Sequence, residues 1–279
     1  MAHEIVTLDR WSKILDHAPQ DKRYIYRGQS SAEWSIECSL RRTLEFNRKM
    51  YNVDSFDLRI AERKSLKTFK SRAHLYLKDL PDEDDDIAWL SVMQHHGTPT
   101  RLIDFSWSFY VSMYFALIGA SDDCCIWAIN ESSLRSSAAR YAKNQHGINN
   151  QISGLRYGEL EASYSSANMI MKHNRFGEEE EEQESLGVLI LEVEKQIPRI
   201  AIQQGLFLFP CSYDGTFVEN LASLKLQKKG GWSPIVKFVI PYENRDDFLM
   251  HLAVMNITAE TIYPGIDGFA QSIIQHDIL

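Results

Sequence analysis

The chain reads as an α+β protein, and three observations predict it. Short apolar runs at 24–27, 124–129 and 236–240 have the length and β-branched or aromatic content of strands. Between such runs lie segments whose apolar residues recur at three- and four-residue spacings, the clearest spanning 57–77. No internal repeat is visible and no boundary separates two compositions, so strands dispersed among helices predict a single α+β domain over residues 1–279.

Residues 8–15 form a short amphipathic pattern with Trp11 and Leu15 on one face, followed by a strand at 24–27 that stops at Gly28. Leu58, Glu62, Leu66, Phe69, Ala73 and Tyr76 mark one stripe of a long helix over 57–77. It ends before Pro81, and 82–86 reads as an acidic loop. A second helix is expected at 87–95, a turn at Gly97-Thr98-Pro99, and an extended segment at 101–105. Ser106 or Ser108 then caps a helix running to about Ile118, apolar on nearly every face and therefore central. A buried strand follows at 124–129. Residues 130–186 are read as a polar insertion: loops and short helices to Phe176, then a solvated acidic run at 178–182. Regular structure resumes with strands at 188–193, 206–209 and 236–240, a turn at Pro198 and another at 228–231. A helix over 246–255 and one more turn capped by Thr258 complete the pattern.

Composition narrows the function. Hydrophobic residues make up 44% and charged residues 24%, ordinary values for a soluble globular protein. Lys and Arg number 30 against 38 Asp and Glu, a net charge of -8, which argues against a general nucleic-acid binder but leaves room for a small basic cleft. Cys38, Cys124, Cys125 and Cys211 form no C-x-x-C pair, so buried free thiols are expected and no metal is predicted. The opening residues lack a signal-peptide pattern and no apolar run is long enough for a membrane span, so a cytoplasmic protein without membrane contact is expected.

Two motifs carry polar chemistry. Arg27-Gly28 ends the first strand: Arg offers a donor fork for phosphate or carboxylate, and Gly lets a ligand approach the backbone. The alternative is an Arg paired with a carboxylate across the fold. The second runs from Trp89 to Ser106 and sets His95, His96, Gly97, Thr98, Arg101, Asp104 and Ser106 at the junction of two apolar segments. His95 could bond a ribose hydroxyl or act as acid or base. Arg101 and Asp104 read better as a buried pair that pins the turn. Phe105 could stack on a nicotinamide or adenine ring, and Ser106 could donate to it or cap the helix. Of the amides Gln203 and Gln204, strand alternation lets only one enter a given cleft, and an edge-strand pair explains them equally well. Lys225, Lys228 and Lys229 near Trp232 fit a solvated loop better than a phosphate site.

These residues resemble the FRG domain family. The matching pieces are Tyr26-Arg27-Gly28-Gln29, Trp34, Ser39-Leu40 with Arg42, Trp89-Leu90, and the block from Gln94 to Ser106. Further on they are Tyr114-Phe115-Ala116, Pro198-Arg199-Ile200, the run from Gln203 to Phe207, and the tail from Ile262 to Gly268. The resemblance implies a split, mainly antiparallel sheet laid out as in ADP-ribosyltransferases. By that analogy NAD is the co-substrate, with Tyr26, Arg27, Gly28, Gln29, Phe105 and Ser106 around it and Arg27, His95 and Gln203 as catalytic residues. Gln203 would stand where such enzymes carry Glu. An amide can only hydrogen-bond, so His95, or a carboxylate from Glu192 or Glu194, would complete the chemistry.

The expectation is therefore NAD-dependent ADP-ribosyl transfer to RNA or protein, in a toxin or phage-defence setting with an antitoxin or regulatory partner, all implied by the resemblance. Arg41, Arg42 and Lys228 are the candidates for an RNA groove. A non-catalytic nucleotide-binding or interaction module is the alternative, and a nuclease using His95 and Arg101 ranks third.

Overall fold

The structure, a computed structural model, describes residues 3–17, 24–52, 55–147, 156–176, 185–192, 198–228 and 233–277. Seven strands build one sheet: β1 (Glu4–Thr7), β2 (Tyr24–Gln29), β3 (Ile103–Ser106), β4 (Cys124–Asn130), β5 (Val188–Leu191), β6 (Gly205–Pro210) and β7 (Ile235–Ile240). Their order is β1-β7-β4-β2-β3-β6-β5. β1 runs parallel to β7 and the other pairs are antiparallel, so the sheet is mixed. The α+β class expected from the sequence is what the chain adopts.

β2 alternates as a buried strand must: Ile25 packs into one apolar layer, Tyr24 and Tyr26 into the other. The second layer is sealed by α1 (Ser12–His17), α5 (Phe109–Ile118) and α10 (Arg245–Val254), through Ile14, Phe109, Met113, Phe248 and Leu252. The first is covered by α2 (Ser39–Tyr51), α3 (Leu58–Ala73), α4 (Asp86–His95), α6 (Glu131–His146), α7 (Arg156–Phe176) and α9 (Phe217–Ser223). Short helices α8 (Pro198–Ile202) and α11 (Ala259–Ile262), with α12 (Ile266–Asp277), complete the chain.

Helix ends follow cap chemistry. Asp57 accepts from Ile60 N and Asp85 from Ala88 N. Ser108, not Ser106, caps α5 by accepting from Val111 N. Asp86, expected in a loop, is the first residue of α4 and pairs with Lys70 at 2.6 Å. All four thiols are buried and unpaired by disulfides, and burial pushes Cys125 up to about 11 and Cys38 and Cys124 up to about 12.

The largest departure from expectation lies within 130–176, which holds two long helices instead of loops and short helices. Their buried stripes are rich in small side chains: Ser137, Ala138 and Ala142 beside Leu134 on α6, and Ala162, Ser163, Ser166 and Ala167 beside Leu160, Ile170 and Met171 on α7. Small residues let the two helices and β5 approach closely while giving a weak hydrophobic period. The acidic run at 178–182 lies outside the described residues, as do Glu194, Lys229 and Trp232.

β2 and β3 meet through a single register pair, Tyr26↔Ser106, whereas β2 and β4 pair along their whole length. The sheet parts beyond that point, and a cavity opens at the parting.

Candidate active site

The cavity holds about 290 Å³, near the lower end of the roughly 300–1,000 Å³ usual for small-molecule sites. Tyr26, Arg27, His95, Phe105, Ser106 and Gln203 all line it. The three groups expected to act together, from β2, the last turn of α4 and the turn before β6, therefore share one space.

Arg27 is half-buried, and loss of hydration pulls its guanidinium below the usual range, partly offset by Asp104. Its Nη1 donates to the Asp104 carbonyl at 2.7 Å and lies 3.9 Å from the Asp104 carboxylate. Its Nε, itself buried, has no hydrogen-bond partner.

His95 repeats that pattern: Nδ1 is buried without a partner. Burial first, then the neighbouring His96 and Arg199, lower its pKa below 6.5, so the neutral imidazole is favoured. Arg27 and His95 thus line one cavity, and each keeps one buried nitrogen without a hydrogen-bond partner among the described residues.

Gln203 follows α8, and its Nε2 donates to the Ile262 carbonyl at 3.3 Å. Its position is fixed by Ser106, whose hydroxyl donates to the Gln203 carbonyl at 2.7 Å and accepts from Ser108 N at 2.9 Å. Ser106 thus spends its proton on positioning Gln203, where donation to a ligand was expected. Gln204, in a left-handed conformation with φ 49°, does not line the cavity.

Three expectations are corrected, those for Gln29, Arg101 and Arg41. Gln29 does not reach the cavity: it is buried between Ser35, whose carbonyl its Nε2 meets at 3.1 Å, and Trp127, whose Nε1 donates to its Oε1 at 2.8 Å. Gly28 does line the cavity, and α5 also presses on it; a Cβ there would sit 1.9 Å from the Ser112 carbonyl oxygen. Arg101 pairs with Glu62, not Asp104. It is wholly buried, donates from Nε and Nη2 to the Glu62 carboxylate, and lies between the rings of Phe209 and Tyr213. It pins the turn and is unavailable to the nuclease reading. Arg41 is likewise committed, to the Tyr213 and Gly215 carbonyls, while Arg42 and Lys228 are exposed.

Asp104, freed from Arg101, is a residue the sequence reading missed. It is the one carboxylate lining the cavity among the described residues, and Gln94 Nε2 donates to it at 2.8 Å. Glu192 does not line the cavity. The signal was available: alternation along 103–106 buries Ile103 and Phe105 and turns Asp104 outward. Arg199 is the second missed residue, a half-buried cation on the cavity wall, 4.9 Å from the centre of the Tyr263 ring. Two guanidinium groups against one exposed carboxylate favour an anionic ligand.

The FRG domain family model matches residues 22–124, the stretch that supplies Tyr26, Arg27, His95, Asp104, Phe105 and Ser106; Arg199, Gln203 and Tyr263 reach the cavity from beyond it. No curated protein and no solved structure matches the chain.

Proposed function

We propose that the cavity of this chain, whose residues 22–124 match the FRG domain family model, binds NAD and that the protein transfers ADP-ribose to RNA or protein. The single observation that carries the reading is that Arg27, His95 and Gln203, from three separate elements, line one cavity together with Arg199 and Phe105. In this reading the parted sheet is an ADP-ribosyltransferase-like core within one domain over 1–279.

The residues fit such a ligand. Arg27 and Arg199 supply donors for the diphosphate and ribose, while Phe105, Phe115 and Tyr263 offer apolar faces for a ring. NAD supplies a ribose carbon whose bond to nicotinamide breaks with the electron pair leaving on the ring nitrogen. Asp104 and the Gln203 amide oxygen then face the positive charge that develops at the sugar, the carboxylate contributing more because it is charged. Neutral His95 accepts the proton lost by the acceptor as its nucleophile bonds to the same carbon. The setting carried over from the resemblance is a cytoplasmic toxin or phage-defence effector held by an antitoxin or regulatory partner.

One observation favours a second reading, a nucleotide-binding module without turnover: an amide stands where a Glu is expected, and Asp104 is already tied to Arg27 and Gln94. NAD labelled in its adenylate half, incubated with the protein, total RNA and lysate protein, separates the two. Label on a macromolecule with matching nicotinamide release supports transfer. Binding without release supports the module, and absence of both sinks the NAD assignment.

A further inference from the structure

A second, larger cavity of about 830 Å³ runs along the outer face of α3 and the turn after α4. Ala61, Phe69 and Ala73 on α3 and Leu77 just beyond its end form a mainly apolar floor, interrupted by Ser65. Lys64 and Arg72 stand beside that floor, eight residues and about 12 Å apart along the axis. Tyr76, 82% exposed, adds an aromatic ring, and His96 and Thr98 belong to the same wall. A patch of this kind, apolar with a polar rim, marks an interaction surface.

Charge identifies what the surface would accept. Of the 30 Lys and Arg in the chain, eleven fall within 39–78, together with only four of the 38 Asp and Glu. Lys70 and Arg59 are paired with Asp86 and Asp214. Arg63, Lys64, Lys67 and Arg72 are exposed and have no carboxylate partner among the described residues. A concentrated basic rim on an otherwise acidic chain complements an acidic partner.

We infer that this groove docks an amphipathic helix of a partner protein, with its apolar stripe on the α3 floor and its Asp or Glu flanks against Lys64 and Arg72. A ridge of side chains on such a helix fits the groove that the α3 floor leaves. The apolar floor disfavours a nucleic acid, whose sites are more polar. A second copy of the chain would bring two basic faces together and be repelled.

The test is fluorescence anisotropy with a labelled synthetic helix of about 18 residues, five turns, carrying Leu at i, i+3, i+4 and i+7 and Glu on both flanks. A Lys-flanked version and a labelled oligouridylate serve as competitors for the assignment. The Glu-flanked helix binds the full chain, and Lys64→Glu with Arg72→Glu weakens it by about tenfold at unchanged thermal unfolding. Tyr76→Ala also weakens it, through apolar contact and not charge. The inference is overturned if the two helices bind alike, or if the Glu-flanked helix fails to bind at millimolar concentration. Oligouridylate binding that the charge reversal abolishes assigns the groove to nucleic acid, and a dimer lost in the same variant assigns it to a second copy; either outcome also overturns it.

Discussion

The imidazoles of His95 and His96 stand edge to face, 4.8 Å between ring centroids, and face different cavities. α4 ends between them, and Gly97 at φ 82° reverses the chain immediately afterwards, a conformation that favours glycine. The proposed NAD cavity and the α3 groove are thus linked through this ring pair, one imidazole lining each. Anything seated against His96 touches the ring that packs on His95.

Because burial lowers the pKa of His95, the neutral base is present at neutral pH and is lost only on acidification. Transfer should rise with pH through a pKa below 6.5 and then level off, and His95→Ala should remove that limb together with most of the rate. The same group contributes to folding in the same direction. Its contribution is complete above the unfolded value, about 6.5, and is lost as pH falls through the lower folded value. An NMR titration placing His95 at or above 6.5 contradicts both statements.

Asp104→Asn separates charge from shape. The Arg27 bond to the Asp104 main-chain carbonyl survives the substitution, so NAD affinity should change little. Loss of the carboxylate should slow transfer by about 10²–10³, the usual cost of removing one electrostatic stabiliser. Unchanged turnover, read as nicotinamide release at saturating NAD, removes Asp104 from the reaction.

Gly28→Ala tests the fold beneath the site. With a Cβ 1.9 Å from the Ser112 carbonyl and 2.7 Å from Ala116 N, α5 must lift off β2. A loss of about 1–3 kcal/mol or more in urea unfolding is expected, as for an overpacked core. Wild-type stability would mean that α5 does not lie where the structure puts it.

Much of this architecture was legible in the sequence, and the misses have physical reasons. β2, α3, α4, α5, β4 and β7 announce themselves because large apolar residues recur with a clear period, as Leu58, Leu66 and Phe69 do on α3. α6 and α7 do not, since Ala138, Ala142 and Ala167 bury little area each and serine fills the positions between. β1 escaped because it is a four-residue strand whose partner in the sheet among the described residues, β7, is more than two hundred residues away. Arg27, His95, Phe105 and Gln203, which line the cavity, were singled out through motifs where polar residues interrupt apolar runs and through the family resemblance. Asp104 was misassigned because sequence proximity suggested Arg101, whereas the ion pair is made across the fold with Glu62.

That ion pair yields a stability prediction. Arg101→Met leaves the Glu62 carboxylate buried without its cation and should cost about 3–5 kcal/mol. Adding Glu62→Leu removes the stranded charge, so the double variant should be less destabilised than the sum of the singles. Simple additivity in a double-mutant cycle would show that the two side chains do not interact.

The central claim is that Arg27 and its neighbours form a binding site for NAD, and calorimetric titration of NAD into the wild type and Arg27→Gln tests it most directly. The account predicts saturable one-to-one binding to the wild type and an affinity at least about tenfold weaker in the variant, with thermal unfolding of the free proteins compared alongside. Equal affinities, or no heat of binding to the folded wild type, would contradict it.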